Sequence, residues 1–344
     1  MTASKTPRES RRISLRLLIP VVVLVVIVVA WSVAWFVIRD EFARQVERGM
    51  QSAALQGIHM RCATRDITGF PLEFKLTCDG FNGRIRGIGG KLQVPHLKVT
   101  ARTYNPRHLT IDADAPSFTF AVTPETQFIA GWRKFRASVH AGTAGLTDLD
   151  IKLDGGTLVD QAKSMSPIAL SQGGNMHFLL SPDNADDLDV DVSLNALQTP
   201  STPPVDLSLN ARLAGHASLL RGEQQVLFPA SGGVAHMDLK DLRVSSGQTA
   251  VSVSGPLTAD PASRYVNGKL QLVVRDPAGL KPLLAPVFPP DSGVVEGLQA
   301  ALGAFGKQTV LDGKPAYSTH VRLKKGVIRI GIIPVGAYPR LPQG

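Results

Sequence analysis

The sequence predicts a mainly β protein, in which an N-terminal transmembrane helix precedes a long curved antiparallel β-sheet, a half-barrel or open barrel-like structure with two or three packed helices. Three observations support this fold class. Residues 17–38 contain no charged side chain. Most of the chain after residue 58 alternates apolar with polar residues, which is the period of a strand with one buried face. Glycine-rich and proline-rich breaks such as 87–90 and 199–204 separate these segments at spacings that suit antiparallel hairpins.

The N-terminal apolar segment has the length and flanks of a membrane span. As a helix, the run from Leu17 to Ile38 covers roughly 33 Å at about 1.5 Å per residue, enough for a bilayer core. Basic residues predominate in the preceding segment 1–16, which therefore belongs on the cytoplasmic side, and Trp31 and Trp35 suit the opposite interface. We expect one transmembrane helix over 17–38 and export of the rest of the chain.

A cleaved signal peptide is the alternative interpretation of this segment. Signal peptides usually have an apolar region of about 7 to 15 residues that ends in a small-x-small cleavage site. Residues 28–34 offer only a weak site of that kind. The length of the run favours an uncleaved anchor, and cleavage stays open as the alternative.

Residues 39–57 predict an amphipathic linker helix that leads the chain away from the membrane. Phe42, Val46 and Met50 recur at four-residue spacing, and Gly57 is placed to end the helix.

The two cysteines, Cys62 and Cys78, flank the turn sequence Gly69-Phe70-Pro71. Export to an oxidising compartment allows a disulfide to persist, and a chain with 2 cysteines needs no further partner. A metal site would need three or four ligands, and a redox pair would more often read Cys-x-x-Cys. The sequence therefore predicts a structural disulfide within a hairpin.

A hairpin folded at this turn predicts a specific register. Cys62 would face Cys78, and Thr68 would face Leu72. In this register one face collects the apolar side chains of Ile58, Met60, Cys62, Leu72, Phe74, Leu76 and Cys78.

Residues 58–344 predict one β-rich domain. In segments 149–154, 187–194 and 205–213, every second residue is aliphatic or small and most of the others are acidic or polar. Each segment therefore predicts a strand with one dry face. A change in composition near residue 230 hints at a subdivision of this domain.

Two further helices are predicted within the β-rich domain. The segment 124–139 follows Thr123 and begins with Pro124, a favourable N-cap and N1 pair, and the segment 292–305 carries an apolar stripe at helical spacing. We expect both helices to lie on the concave apolar side of the sheet. The proline-rich segment 276–291 predicts the connection to the second helix.

The charge distribution argues against a nucleic-acid partner. The formal net charge is +9, but the basic residues are spread over the predicted strands, and aromatic residues make up 6% of the chain. A nucleic-acid interface would concentrate basic and aromatic residues on one helix or loop.

No motif predicts an enzyme. The acidic run 184–191 includes Leu188 and Val190 at strand spacing, which does not fit the ligand order of a calcium loop. The 8 histidines show no metal-binding spacing, and there is no Gly-x-Ser-x-Gly elbow and no phosphate-binding loop. We therefore expect a non-enzymatic protein with no catalytic residue, no metal and no cofactor.

Four segments carry a resemblance to a known family: GFPLEFKLTC at 69–78, TYNPRHLTID at 103–112, GWRKFRASV at 131–139 and KKGVIRIGIIPVGAYPRLP at 324–342. They resemble the bacterial domain-of-unknown-function family 2125, whose members are N-terminally anchored envelope proteins. The resemblance implies a bacterial inner-membrane protein with a cytoplasmic N-terminus and a periplasmic bulk. It supplies no activity and no catalytic residue.

A looser likeness, to the AsmA-like envelope proteins, lies in residues 239–274, where strand, glycine-containing turn and strand recur. It favours a binding role.

Two function classes follow from these observations. In the first, the protein binds or guides a lipid or another amphiphile along an apolar concave β surface. In the second, the same surface is a packed core, and the protein is a structural or adaptor protein that contacts other envelope proteins. The binding hypothesis predicts an apolar groove lined by Leu207, Leu209, Val251, Val253, Leu270 and Leu272.

Overall fold

The structure is a computed structural model that describes residues 15–55, 57–86, 89–123, 126–142, 145–161, 166–200, 202–221, 233–284, 293–331 and 333–341. It consists of one long N-terminal apolar helix, one large antiparallel sheet and a few short helices. Among the described strands, the two edges of the sheet do not pair with each other, so the sheet is open and forms no closed barrel. The predicted mainly β fold class is confirmed.

Helix α1 (Leu15–Leu55) is continuous, so the predicted span and the predicted linker helix form a single element. The large apolar side chains between Val22 and Ile38 are exposed, with the exception of Trp35, which is 4% exposed. This helix is long and apolar enough to cross a membrane.

The sheet is a meander in which most strands pair with the next strand along the chain. Short strands lie at both ends of the sheet. At one end β1 and β2 pair with β3; at the other end β15 and β17 pair with β16, and β18 pairs with β17. The strands are β1 (Ile58–Arg61), β2 (Thr64–Thr68), β3 (Glu73–Ile85), β4 (Gly90–Arg102), β5 (Asn105–Asp114), β6 (Ser117–Thr123), β7 (Thr126–Gly142), β8 (Gly145–Asp160), β9 (Pro167–Leu180), β10 (Leu188–Leu197), β11 (Val205–Ala214), β12 (Ala235–Ser246), β13 (Thr249–Asp260), β14 (Tyr265–Arg275), β15 (Lys307–Leu311), β16 (Lys314–Lys324), β17 (Val327–Ile330) and β18 (Ile333–Ala337).

The sheet passes without interruption through the region where the sequence hints at a subdivision. Strand β11 pairs with β12 along its length, although the residues around 230 that join them lie outside the described part of the chain.

The register aligns aliphatic side chains on one face of the sheet, which we call the apolar face. Residues that lie directly opposite one another in successive strands from β7 to β14 are Ala137, Ile151, Met176, Val192, Leu209, Leu242, Val253 and Leu272. Because side chains alternate along a strand, the residues between them point to the other face, which carries charged groups.

Ion pairs join neighbouring strands on this charged face. Arg136 Nε donates to Asp112 Oδ1 at 2.7 Å, and Arg212 Nε donates to Asp189 Oδ1 at 2.7 Å. The polar residues that alternate with apolar ones in these strands therefore form ion pairs between neighbouring strands.

The Asp189 pair predicts a pH-dependent contribution to stability. The hydrogen bonds from Arg212 hold the pKa of the Asp189 carboxyl below its usual range, and the nearby Lys240 adds to this effect. A lowered pKa in the folded state stabilises the fold above the unfolded pKa of about 3.9, and this stabilisation is lost as the pH falls through the folded pKa. Asp189→Asn should cost about 1 kcal/mol at pH 7 and less at pH 3, as measured by urea denaturation.

Asp183→Asn is the control for this prediction, because Asp183 also contacts Arg212 but its side chain is 73% exposed. Its effect should be smaller at pH 7. An Asp189→Asn deficit that is equal at both pH values would contradict the prediction.

The predicted helix over 124–139 is wrong. Its described residues belong to β7, which pairs with β6 and β8. Pro124, on which the predicted helix start depends, lies outside the described residues. The physical reason is that Phe135, Ala137 and Val139 fit the period of a strand and find partners on both sides, so sheet pairing overrides the local helix signal.

The predicted helix near the C-terminus is confirmed as α4 (Val294–Phe305). Two five-residue helices, α2 (Ala217–Arg221) and α3 (Leu280–Leu284), accompany it. Helices α3 and α4 cover the apolar face at β13, β14 and β17. The buried residues of this core are Val251, Leu272, Val274, Leu280, Leu283, Val295, Leu298, Ala301, Leu302 and Ile330.

The predicted disulfide is confirmed. Cys62 Sγ and Cys78 Sγ are bonded at 2.05 Å, and the Cα atoms are 5.5 Å apart. Cys62 lies in the short break between β1 and β2, and Cys78 lies within β3. The predicted turn residues Gly69, Phe70 and Pro71 lie between β2 and β3.

The predicted register of this hairpin is wrong. Thr68 lies opposite Lys75 and not opposite Leu72. Leu72 belongs to the turn, where its carbonyl oxygen accepts a hydrogen bond from the Thr103 N–H at 3.0 Å. The shift by an odd number of residues places Ile67 opposite Leu76 on the buried face of β3, so Ile67 is 9% exposed. Leu72, in the turn, is 61% exposed.

Candidate functional site

An apolar cavity of about 420 Å³ lies on the apolar face between β3 and β9. All of its lining residues are apolar. They include Phe81, Leu97, Phe118, Trp132, Phe135 and Met176. The cavity therefore offers space and dispersion contacts, but no side-chain hydrogen-bonding partner except the indole N–H of Trp132.

Breaks in the regular strands shape this cavity. Ala115 separates β5 from β6 and has φ 46°, and Gly155 in β8 has φ 57°. In a regular strand, Trp132 and Phe135 would point to opposite faces, because they are an odd number of residues apart. Both line the cavity, and between them the β7–β8 ladder skips the pair of Arg133 with Gly155, where the backbone has a positive φ. The breaks thus bring extra aromatic side chains to the apolar face.

The cavity adjoins the cluster that docks α1 on the sheet. Trp35 stacks on Phe74, with ring centroids 5.4 Å apart, and both are buried together with Ala101. Strand β4 carries both Ala101 of this cluster and Leu97 of the cavity, four residues apart. The apolar surface is therefore continuous from the N-terminal helix to the cavity.

Polar contacts fix α1 at the same level. Trp31 Nε1 donates to Pro71 O at 3.1 Å, and Arg39 Nε donates to Ile67 O at 3.1 Å. These bonds bracket the end of the apolar run, so the turn between β2 and β3 lies where α1 becomes polar.

The six predicted groove residues lie elsewhere on the apolar face. Val251 and Leu272 are buried in the core under α3 and α4. Leu270 is 6% exposed in an adjacent cluster, against which Leu209 and Val253 pack. Leu207, on β11, is half-buried and lies opposite Val244.

The aromatic lining of the cavity was not predicted from the sequence. The helix predicted over 124–139 removes Trp132 and Phe135 from the sheet, and the twofold alternation that includes Phe118 and Phe120 was the signal for a strand pair at this position. The predicted groove and the observed cavity share the apolar face but not a single residue.

No acidic or metal-ligating cluster accompanies the cavity. Across the described ranges, no group of three or more His, Cys, Asp or Glu side chains is arranged to hold a metal ion.

Comparisons with known proteins identify a sequence family. No curated protein and no solved structure matches the chain. Residues 35–339 match the sequence family described as "Uncharacterized protein conserved in bacteria (DUF2125)". The matched region begins at the buried Trp35 and includes the disulfide, the apolar cavity and α4. The chain therefore belongs to the DUF2125 family of bacterial proteins, the family that its sequence motifs resemble.

Proposed function

We propose that this protein is a non-enzymatic, inner-membrane-anchored periplasmic protein that binds or guides the aliphatic part of a lipid or another amphiphile along the apolar face of its sheet. The observation that carries the proposal is the cavity of about 420 Å³ with its wholly apolar lining. Ligand pockets commonly measure about 300–1,000 Å³. Each CH₂ group that enters such a pocket from water contributes about 0.8 kcal/mol.

The position of the cavity beside α1 supports a lipid as the ligand. The apolar surface extends from Trp35 and Phe74 to the cavity, and α1 exposes its apolar side chains between Val22 and Ile38. An acyl chain that leaves the bilayer next to α1 would meet apolar side chains along this path. The looser AsmA-like likeness of residues 239–274 favours the same role.

The packing of α1 supports an anchor that is retained. The weak cleavage site that the sequence offers at 28–34 includes Trp31, whose indole N–H donates a hydrogen bond to Pro71 O. Cleavage there would remove this contact. The basic residues before the apolar run favour a cytoplasmic N-terminus and a periplasmic sheet.

An adaptor role is the second candidate, and an exposed apolar group at the β15 edge favours it. Phe305 is 54% exposed, Val310 is 65% exposed and Tyr317 is 38% exposed. Apolar side chains at an open sheet edge suit a contact with another protein.

Mutation of Met176 tests the lipid proposal. Met176 lines the cavity, and the next residue toward the N-terminus, Asn175, lies on the opposite face. Met176→Glu places a carboxylate in the apolar cavity, where it has no partner, so it should reduce bound acyl chains by about tenfold. Asn175→Glu adds the same charge to the solvated face and should leave binding unchanged.

The measurement uses the full chain in phosphatidylcholine nanodiscs with a diazirine-bearing fatty acid, followed by mass spectrometry of the crosslinked peptides. Crosslinks should map to β3–β9 in the wild-type protein and in Asn175→Glu. Near-UV circular dichroism checks that both variants are folded. A wild-type protein without crosslinks in these strands, and without co-purifying lipid, would favour the adaptor role.

A further inference from the structure

A second cavity, of about 600 Å³, lies between the C-terminal half of α1 and strands β1, β3 and β4. Its lining differs in character from that of the apolar cavity, because four of its residues are basic or imidazole side chains: His59, Arg61, Arg84 and Lys91. An adjoining cavity of about 430 Å³ shares three of these residues and adds Arg86. No Asp or Glu is among the described lining residues of either cavity.

The strand register concentrates this positive charge. His59 lies directly opposite Arg84, and Arg84 lies directly opposite Lys91. Side chains at such positions have Cβ atoms about 4.5–5.5 Å apart, and the like charges of Arg84 and Lys91 at this distance destabilise the pairing. An anion bound between these side chains would offset the repulsion.

Two acidic side chains of the elements that line the cavity, Glu47 on α1 and Asp79 on β3, are paired with other residues. Glu47 pairs with Arg65 at 3.4 Å, and Asp79 pairs with His96 at 2.6 Å. Within the described part of the chain, Arg61, Arg84 and Lys91 form no ion pair with a carboxylate.

We propose that this basic cavity binds a phosphate group, either free or as part of a lipid headgroup. Two guanidinium groups, from Arg61 and Arg84, can each offer paired N–H donors that match phosphate oxygens, and Lys91 adds a point charge. The disulfide residue Cys62 also lines the cavity, so its edge is covalently tied to β3.

The site lies away from the membrane end of α1. Met50, which lines the cavity, follows Ile38 by twelve residues, or about 18 Å along a helix. A lipid headgroup that stays at the bilayer surface would therefore not reach the basic cavity. A lipid-borne phosphate would therefore have to leave the bilayer, as the proposed acyl-chain binding also requires, whereas a free phosphate would bind without the apolar cavity.

Calorimetry on the full chain in phosphatidylcholine nanodiscs tests the site. The two probes are inorganic pyrophosphate and dihexanoyl phosphatidic acid, a short-chain lipid with a terminal phosphate. The double variant Arg84→Gln and Lys91→Gln should weaken binding of the preferred probe by at least about tenfold. It should also raise the thermal midpoint of unfolding, because it removes like charges from facing positions.

A matched control exists on the other half of the sheet. Lys269 lies opposite Arg322, which lies opposite Arg329, so this row has the same spacing of positive charge. Neither the basic cavity, the adjoining cavity nor the apolar cavity borders this row. Lys269→Gln with Arg322→Gln should therefore change the affinity for either probe by less than about twofold.

Four outcomes are distinguishable. Site-dependent binding of pyrophosphate alone supports a free phosphate ligand, and site-dependent binding of phosphatidic acid alone supports a headgroup. Binding of neither probe overturns the proposal. Equal weakening by the site variant and the control variant also overturns it, because it would show attraction to net charge. None of these results depends on Met176, so acyl-chain binding in the apolar cavity is tested separately.

Discussion

Leu302→Ala is expected to lower the free energy of unfolding by about 2 to 5 kcal/mol. Leu302 lies on α4, is 2% exposed and belongs to the core with Val274 and Leu280, which are fully buried. Removing its branched side chain would leave a cavity between α4 and the sheet. Because the surrounding side chains come from both the helix and several strands, they cannot all move to fill it.

Phe305→Ala is the control for this substitution. Phe305 ends the same helix but is 54% exposed, so its removal should cost about 0.5 kcal/mol or less. Urea unfolding of the full chain in detergent, followed by pulse proteolysis, measures both values. Similar losses for the two variants would mean that α4 does not depend on Leu302 for its docking.

The position of α4 could be predicted from sequence because its signal is local. Val294, Leu298 and Leu302 recur at four-residue spacing, and all three are buried together with Val295 and Ala301. A strand could not bury all five on one face. The segment 124–139 has no such unambiguous period. Its structure depends on pairing with strands β6 and β8. The partner residues in these strands lie up to about thirty residues away along the chain, and local propensity does not report such contacts.

The register of the hairpin could not be predicted from the local sequence for a similar reason. The turn extends beyond Pro71 to Leu72, and Leu72 O accepts hydrogen bonds from both the N–H and the hydroxyl of Thr103, in the turn between β4 and β5. A contact from a later strand thus fixes how far the turn extends. The disulfide was predictable because it requires only two cysteines and an oxidising compartment, and it does not require the register.

The apolar face was predictable from alternation, but its free volume was not. Alternation places Leu209, Val253 and Leu272 on one face, and the structure agrees. Whether such a face is packed or open depends on what covers it. Helices α3 and α4 cover it at Leu272, whereas the breaks at Ala115 and Gly155 widen it at the cavity.

Replacement of both Cys62 and Cys78 by serine is expected to lower the free energy of unfolding by about 3 kcal/mol. The bridge spans a sequence separation of 16, and in the chain-entropy model a loop of about 15 residues contributes this amount. Strands β1 and β2 have 4 and 5 residues and pair only with β3 among the described strands. Such short edge strands gain little from their own ladders, so the bridge has a large share in holding them.

The position of the bridge also predicts where the variant loosens. Amide hydrogen exchange should accelerate in β1 and β2, on either side of Cys62, and should change little in β8 and β9. The basic cavity, which Cys62 and His59 line, should lose phosphate affinity, whereas crosslinking in the apolar cavity should persist because neither Cys62 nor Cys78 is in that lining. Wild-type protein treated with dithiothreitol is the control and should match the double serine variant. An unchanged exchange rate in β1 and β2 would show that their pairing with β3 is sufficient without the disulfide.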